Sequence, residues 1–268
     1  MTRLQRILFV ALILVCIQPS LVEAHDLIPR VLQEYVAQHP DATPEDIQAF
    51  ANNQAPEYAQ KIKNGADIID IAQNQQTTPL DTTFDFLRIG IAHILTGPDH
   101  VLFILSLLLV FVSVFQTLKL ITLFTVGHSC TLFLAVTGIL TVSPRITEPL
   151  IALSIAYVAL SSVFFRKPDS VVTRFTMPLS VFFFSLFHGL GFAGLLKEIR
   201  VPDGKFGLSL LSFNVGIEIG QLIVVVLVFP CIYLCRNKSW FPRVLQVVAV
   251  LISTIALYWF FERIFFPS

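Results

Sequence analysis

Two imidazoles and a carboxylate, His93, Asp99 and His100, fall within eight residues in the stretch HILTGPDH. Neutral imidazole and carboxylate together suit Zn²⁺, Ni²⁺, Co²⁺ and Fe²⁺, whereas Cu(I) favours soft thiolates. The four cysteines, Cys16, Cys130, Cys231 and Cys235, form no dense thiolate set. Groups of the same kind recur downstream: His128 beside Ser129, Glu148 beside Pro149, and His188 in FHGLGFAG. Asn214, Glu218 and Gln221 are spaced i, i+4 and i+7, which lines one face of a helix. All of them stand in apolar sequence. An ionisable group costs about 3 kcal/mol at the centre of a membrane helix, so each is a candidate for function.

Each also has a plainer reading. A single histidine such as His188 serves helix packing equally well, and Gly189, Gly191 and Gly194 around it read as a small-residue packing surface. Glu148 can form a boundary ion pair with Arg145. Four histidines with two or more acids in successive spans are harder to assign to packing alone.

The elements that must position these groups follow from composition. Hydrophobic residues make up 55% of the 268 and charged residues 13%, and the mean hydropathy is +0.76. Soluble domains carry about 25% charged residues; the chain is an integral membrane protein. Residues 1–24 combine Arg3 and Arg6, an apolar run and a small-residue end at Ala24, the pattern of a signal peptide. The alternative is an uncleaved first helix, although the run is shorter than the ~20 residues a span needs. Cleavage after Ala24 would give His25 a free amine beside its imidazole, a further metal-chelating candidate.

Residues 25–83 read as an exported acidic helical segment and linker. Nine acids stand there against three bases, enough to concentrate cations weakly, or simply a solvated surface. Thr43, Pro44 and Asp46 predict a helix start, by capping, by first-position proline and by a carboxylate three residues after the cap. The segment holds no cysteine, so no disulfide framework is expected in it.

Residues 84–268 predict an all-α transmembrane bundle of about six spans, near 84–115, 118–140, 147–165, 175–196, 207–235 and 241–266. The apolar runs are too long and continuous for the alternating strands of a barrel. Gly97 and Pro98 predict a break in the first span, tolerated at membrane depth only where the freed backbone is buried in protein or lines a cavity. Asp99 and His100 then occupy the first turn after the break. A carboxylate is favoured at a helix N-terminus and can orient a ligating imidazole. With the exported segment outside, the inside loops hold seven Lys and Arg and the outside loops five. That bias predicts an inner-membrane, multi-pass protein with its mature N-terminus and its C-terminus both outside.

HILTGPDHVLFILSLLL, FTVGHSCTLFLA, EPLIALSIA, FHGLGFAGLL and FNVGIEIGQL, spanning about residues 84–225, resemble the HupE/UreJ family, membrane proteins encoded with hydrogenase and urease systems and regarded as nickel or cobalt permeases. The resemblance implies a six-span permease with a metal pathway through His93, Asp99, His100, His128, His188 and Glu218. Ser129, Glu148, Asn214 and Gln221 would be supporting polar groups, and metalloenzyme maturation proteins would be partners. A weaker similarity connects the chain to the nickel/cobalt transporter family. There four residues separate a His from an Asp-His pair; here five separate His93 from Asp99, and that family's later acidic signature is missing.

Ni²⁺, Co²⁺ or Zn²⁺ is thus the expected substrate or bound ion. No phosphate-binding G-x-x-x-x-G-K-[ST] loop occurs, so no nucleotide is expected, and no nucleic acid. Two other classes stay open. Three histidines could hold Zn²⁺ while Asp99 or Glu218 activates its water, making an intramembrane hydrolase; Ser129 beside His128 also permits a serine hydrolase, without a G-x-S-x-G elbow to support it. A non-transporting metal-binding assembly subunit would instead dock a partner through its exported helices.

Overall fold

The computed structural model describes residues 41–54, 79–110, 113–164, 171–198 and 204–266 with Leu32, Tyr35, Gln38 and His39, and their side chains except at 171–174 and 192–198. The expected signal peptide, His25 and residues 55–78 lie outside these. Eight α-helices and no strand occur among the described residues: α1 (Pro44–Gln54), α2 (Pro79–Thr96), α3 (Pro98–Val110), α4 (Val114–Val136), α5 (Pro144–Phe164), α6 (Val171–Glu198), α7 (Phe206–Cys235) and α8 (Phe241–Phe265).

Proline marks the starts. Pro44, Pro79, Pro98 and Pro144 each open a helix, where the missing N–H is no loss and the fixed φ already suits the helix. For this reason α2 begins earlier than the expected 84, and α5 earlier than 147. At α1, the Thr43 N–H and hydroxyl both donate to Asp46 Oδ2, at 3.0 and 2.7 Å, and the Asp46 N–H reaches Thr43 Oγ1 at 3.3 Å. This reciprocal cap is the one expected from the sequence. Hydrogen bonds from the Thr43 side chain, then from its backbone, hold the Asp46 carboxyl below its ordinary pKa. The cap therefore contributes above the unfolded carboxyl's pKa and is lost as pH falls through the lowered folded value. An acid titration of the Thr43 amide proton should follow that protonation; a shift that persists in Asp46→Asn would show that the cap is not its source.

Gly97 is the single residue between α2 and α3, and the two helices meet at 69°. Pro98 cannot donate, and its ring would clash with the carbonyl four residues back if the helix continued. The chain recovers at once: the His100 and Val101 N–H groups donate to the Gly97 carbonyl at 3.1 and 3.2 Å. Eight of the 13 residues of α3 are buried, so this half-helix is enclosed on every side and forms the centre of the bundle. Its principal neighbour is α5; around it α2 packs on α7, α4 on α6 and α5 on α8. Phe103, Ile104, Leu107, Phe124, Ile155 and Phe213 lead the core.

The outer surface is apolar as well. Phe115, Phe164 and Phe175 are each about three-quarters exposed (78%, 74% and 75%), a cost in water and none in lipid. Four helices, α4, α5, α7 and α8, are long and apolar enough to cross a membrane; the bent α2–α3 pair makes a fifth when taken as one span, and α6 carries a shorter apolar stretch, Phe175–Gly191. Each of the six segments expected from the sequence contains helix among the described residues, α4 ending at Val136, short of the expected 140. Several buried hydroxyls are satisfied within their own helices, as at Ser106 to the Leu102 carbonyl (2.7 Å) and Ser253 to Ala249 (2.7 Å), which membrane interiors favour.

Candidate functional site

Four histidines from four helices converge beside α3. His93 ends α2, His100 opens α3, and His128 and His188 come from α4 and α6. The His93 and His100 ring centroids are 4.4 Å apart, His93 and His128 6.0 Å, His100 and His128 6.0 Å, and His100 and His188 5.2 Å. Phe103 and Phe124 wall the cluster, with Phe124 5.0 Å from His188 and 5.9 Å from His128. Phe213 closes it beside His93 at 5.8 Å. His128 is fully buried, and His188 and His100 nearly so.

The break makes the first of these pairs. On a straight helix residues 93 and 100 would lie about 10 Å apart along the axis; the 69° bend turns that separation into ring contact. Glycine is required at the bend, because a Cβ on Gly97 would fall 2.7 Å from the His93 carbonyl oxygen and 3.0 Å from the His100 ring.

Glycines bring in the other two histidines. A Cβ on Gly189 would overlap the His128 carbonyl and the Thr131 hydroxyl, and one on Gly127 would overlap the Ser185 hydroxyl and press on Phe182. Thus α4 and α6 meet with their backbones close, at the residues next to His128 and His188. Across the cluster, α2 meets α7 in the same way: Gly90 lies against the Phe213 carbonyl, Gly216 against that of Leu87, and Gly220 against Ile94. Gly216 and Gly220, four residues apart, form the small-residue face that lets membrane helices touch.

Hydrogen bonding leaves much of the cluster unsatisfied. His188 Nε2 lies 3.1 Å from Ser154 Oγ, but His188 Nδ1, His100 Nδ1 and both nitrogens of His128 are buried without a hydrogen-bond partner, as is Asn214 Oδ1. An unmade bond of this kind costs about 1–3 kcal/mol, and such groups are rare in finished cores. As the rings stand, no three His, Cys, Asp or Glu side chains among the described residues are placed to hold a metal ion. The rings are gathered; their donor atoms would have to turn onto a common point.

The other candidate residues lie in two separate places. Asp99, next to His100 in sequence, accepts from Arg263 Nη2 at 3.0 and 3.3 Å, while Nη1 of the same guanidinium donates to the Glu148 carbonyl at 3.1 Å. Arg263 thereby ties the end of α8 to the starts of α3 and α5, and Trp259 lies under it at 5.5 Å. Both partners are about one-fifth exposed, so the bond is worth more than a surface pair. Arg263→Met is expected to cost about 2 kcal/mol, read as the shift in unfolding midpoint in detergent; an unchanged midpoint would make the contact incidental.

Glu218 is half-buried and accepts from the Thr122 hydroxyl at 2.7 Å. One turn on, Gln221 Oε1 accepts from Thr125 at 2.9 Å. Asn214 Nδ2 and Ser129 Oγ bond to their own helices, at Leu210 and Thr125. The polar face expected on α7 thus meets threonines of α4. Sequence reading did not single out Ser154, Arg263, Thr122 or Thr125 as site residues. Arg263 carried a signal as a base in the apolar stretch FERIFF, and Ser154 one only as a polar residue further along the span that Glu148 opens.

Residues 70–263 match the family model described as HupE / UreJ protein. No curated protein and no solved structure matches the chain.

Proposed function

This chain belongs to the HupE/UreJ family, and we propose on that premise that it is an integral membrane permease for a divalent transition metal, Ni²⁺ or Co²⁺ before Zn²⁺. The observation that carries the reading is the histidine cluster. Imidazole suits these ions, and two imidazoles on one tetrahedral ion, with bonds of about 2.1 Å, put their ring centroids about 5 Å apart. The spacings of 4.4 to 6.0 Å bracket that value. Rotation of the rings about their side-chain torsions is the movement the site requires. The cation is the cargo: His100 Nδ1, His188 Nδ1 and the nitrogens of His128, which have no hydrogen-bond partner, would replace part of its water shell.

Asp99 and Glu218, bonded to Arg263 and Thr122, would act outside that shell. Asp99 would hold negative charge one residue from His100 while Arg263 neutralises it, and Glu218 with Thr122 would provide an oxygen-lined station between α4 and α7. Metal and proton compete for the same imidazole nitrogen, so external acid should slow uptake. The expected orientation, with the mature N-terminus outside, belongs to the same proposal.

The test is uptake of Ni²⁺, Co²⁺, Zn²⁺ and Fe²⁺ into proteoliposomes of the purified protein at two external pH values, beside His100→Ala. Time-dependent accumulation of Ni²⁺ or Co²⁺, slower in acid and lost in the variant, is the expected result. Stoichiometric metal retained without movement would overturn the permease reading in favour of a static site.

A further inference from the structure

We propose that Ser154 is a positioning residue that selects Nδ1 of His188 as the nitrogen offered to the cation, an assignment that rests on the permease reading above.

The argument is one of hydrogens. Ser154 Oγ lies 2.6 Å from the Ile151 carbonyl oxygen, and a carbonyl only accepts, so the hydroxyl hydrogen is committed there. The same Oγ lies 3.1 Å from His188 Nε2. With its own hydrogen used, the oxygen can only accept from the ring, and Nε2 must carry the N–H. A neutral imidazole has one N–H; Nδ1 is therefore a bare lone pair. The opposite tautomer would set the Nε2 lone pair against an oxygen lone pair, or take the hydroxyl from Ile151.

The structure then leaves that lone pair without a use inside the protein. His188 Nδ1 is buried and has no hydrogen-bond partner, and the ring sits 5.2 Å from His100 and 5.2 Å from Phe103. Ser154 itself is fully buried on α5, a helix that contributes no histidine to the cluster. Its hydroxyl takes the role that a carboxylate or carbonyl plays behind many ligating imidazoles, fixing the tautomer and the ring plane. Here the acceptor is a serine oxygen whose own proton is drawn off by a helix carbonyl.

The experiment uses the full chain in detergent micelles, with ¹⁵N-histidine correlation spectra of the metal-free protein, His188 assigned from His188→Gln, and Ni²⁺ binding by titration calorimetry. Wild type should show the Nε2–H tautomer at His188. Ser154→Ala should lose that signature and weaken Ni²⁺ binding about 10- to 100-fold. Ser154→Thr, which keeps a hydroxyl able to bond the preceding turn, should restore both. An Nδ1–H signature in wild type, or Ni²⁺ affinity unchanged in Ser154→Ala, would overturn the proposal. A wild-type protein that binds none of Ni²⁺, Co²⁺ and Zn²⁺ in the same titration would overturn the permease reading and the positioning role with it, and the same spectra would still report the tautomer separately.

Discussion

His128→Leu is expected to abolish metal uptake and leave the bundle at least as stable as before. Both nitrogens of His128 are buried without a partner, and its ring is close to those of His93 and His100. In a purely structural role such a residue is a liability: an apolar side chain would remove two unmade hydrogen bonds, each worth about 1–3 kcal/mol. In a cargo site the same residue is a ligand held ready. Losing even a group behind a ligand costs about 10- to 100-fold in metal affinity, so losing the imidazole should reduce uptake by about 100-fold or more. Thermal unfolding in detergent and proteoliposome uptake read the two effects separately. Uptake preserved in His128→Leu would remove His128 from the pathway; a large loss of stability would mean that the imidazole is bonded in the working protein.

Gly189→Ala should do the opposite, failing through the fold. The added methyl would overlap the His128 carbonyl and the Thr131 hydroxyl, and a backbone oxygen cannot move aside as a flexible side-chain end can. Overpacking of this kind costs about 1–3 kcal/mol, here at the contact that sets His188 beside His128. Lower yield of folded protein, a lower unfolding midpoint and loss of uptake are expected together. Gly138→Ala is the contrast to run beside it: nothing lies within reach of a Cβ there, although its φ of +76° adds some strain. If Gly189→Ala unfolds like wild type and transports normally, α4 and α6 have slack that the close approach does not suggest.

These two substitutions separate the two roles that residues in FHGLGFAG and FTVGHSCTLFLA play. His128 and His188 were recognisable because an imidazole in an apolar run is expensive and needs a reason. Gly127 and Gly189 beside them were legible only as small residues, since a glycine reveals nothing of its neighbour until the facing helix is known. Gly97 and Pro98 were the clearest signal in the chain, because the lost N–H and the ring clash act locally whatever surrounds them.

Asp99 and Glu218 show where a linear reading stops. Both are carboxylates in apolar sequence, next to or in step with other polar groups, and both look like ligands of the same site. In the folded chain Arg263, 164 residues further on, takes Asp99, and Thr122 takes Glu218. Ser154 carried no role in the sequence for the converse reason: a serine that bonds its own helix is ordinary in a membrane segment, and only its second contact, with His188, distinguishes it.

The sequence by itself determined what depends on local chemistry and on the solvent: an all-helical membrane bundle, helix starts at proline, a broken helix at Gly97–Pro98, and a set of histidines whose cost in apolar runs calls for a reason. The tertiary structure alone decided which of those groups meet. Periodicity along one helix specifies a face, but whether two faces converge depends on crossing angles and on how closely backbones approach. In this chain the approach is set by glycines whose partners lie tens to more than a hundred residues away. That is why four imidazoles share one space while the two acids expected beside them are held by an arginine and a threonine.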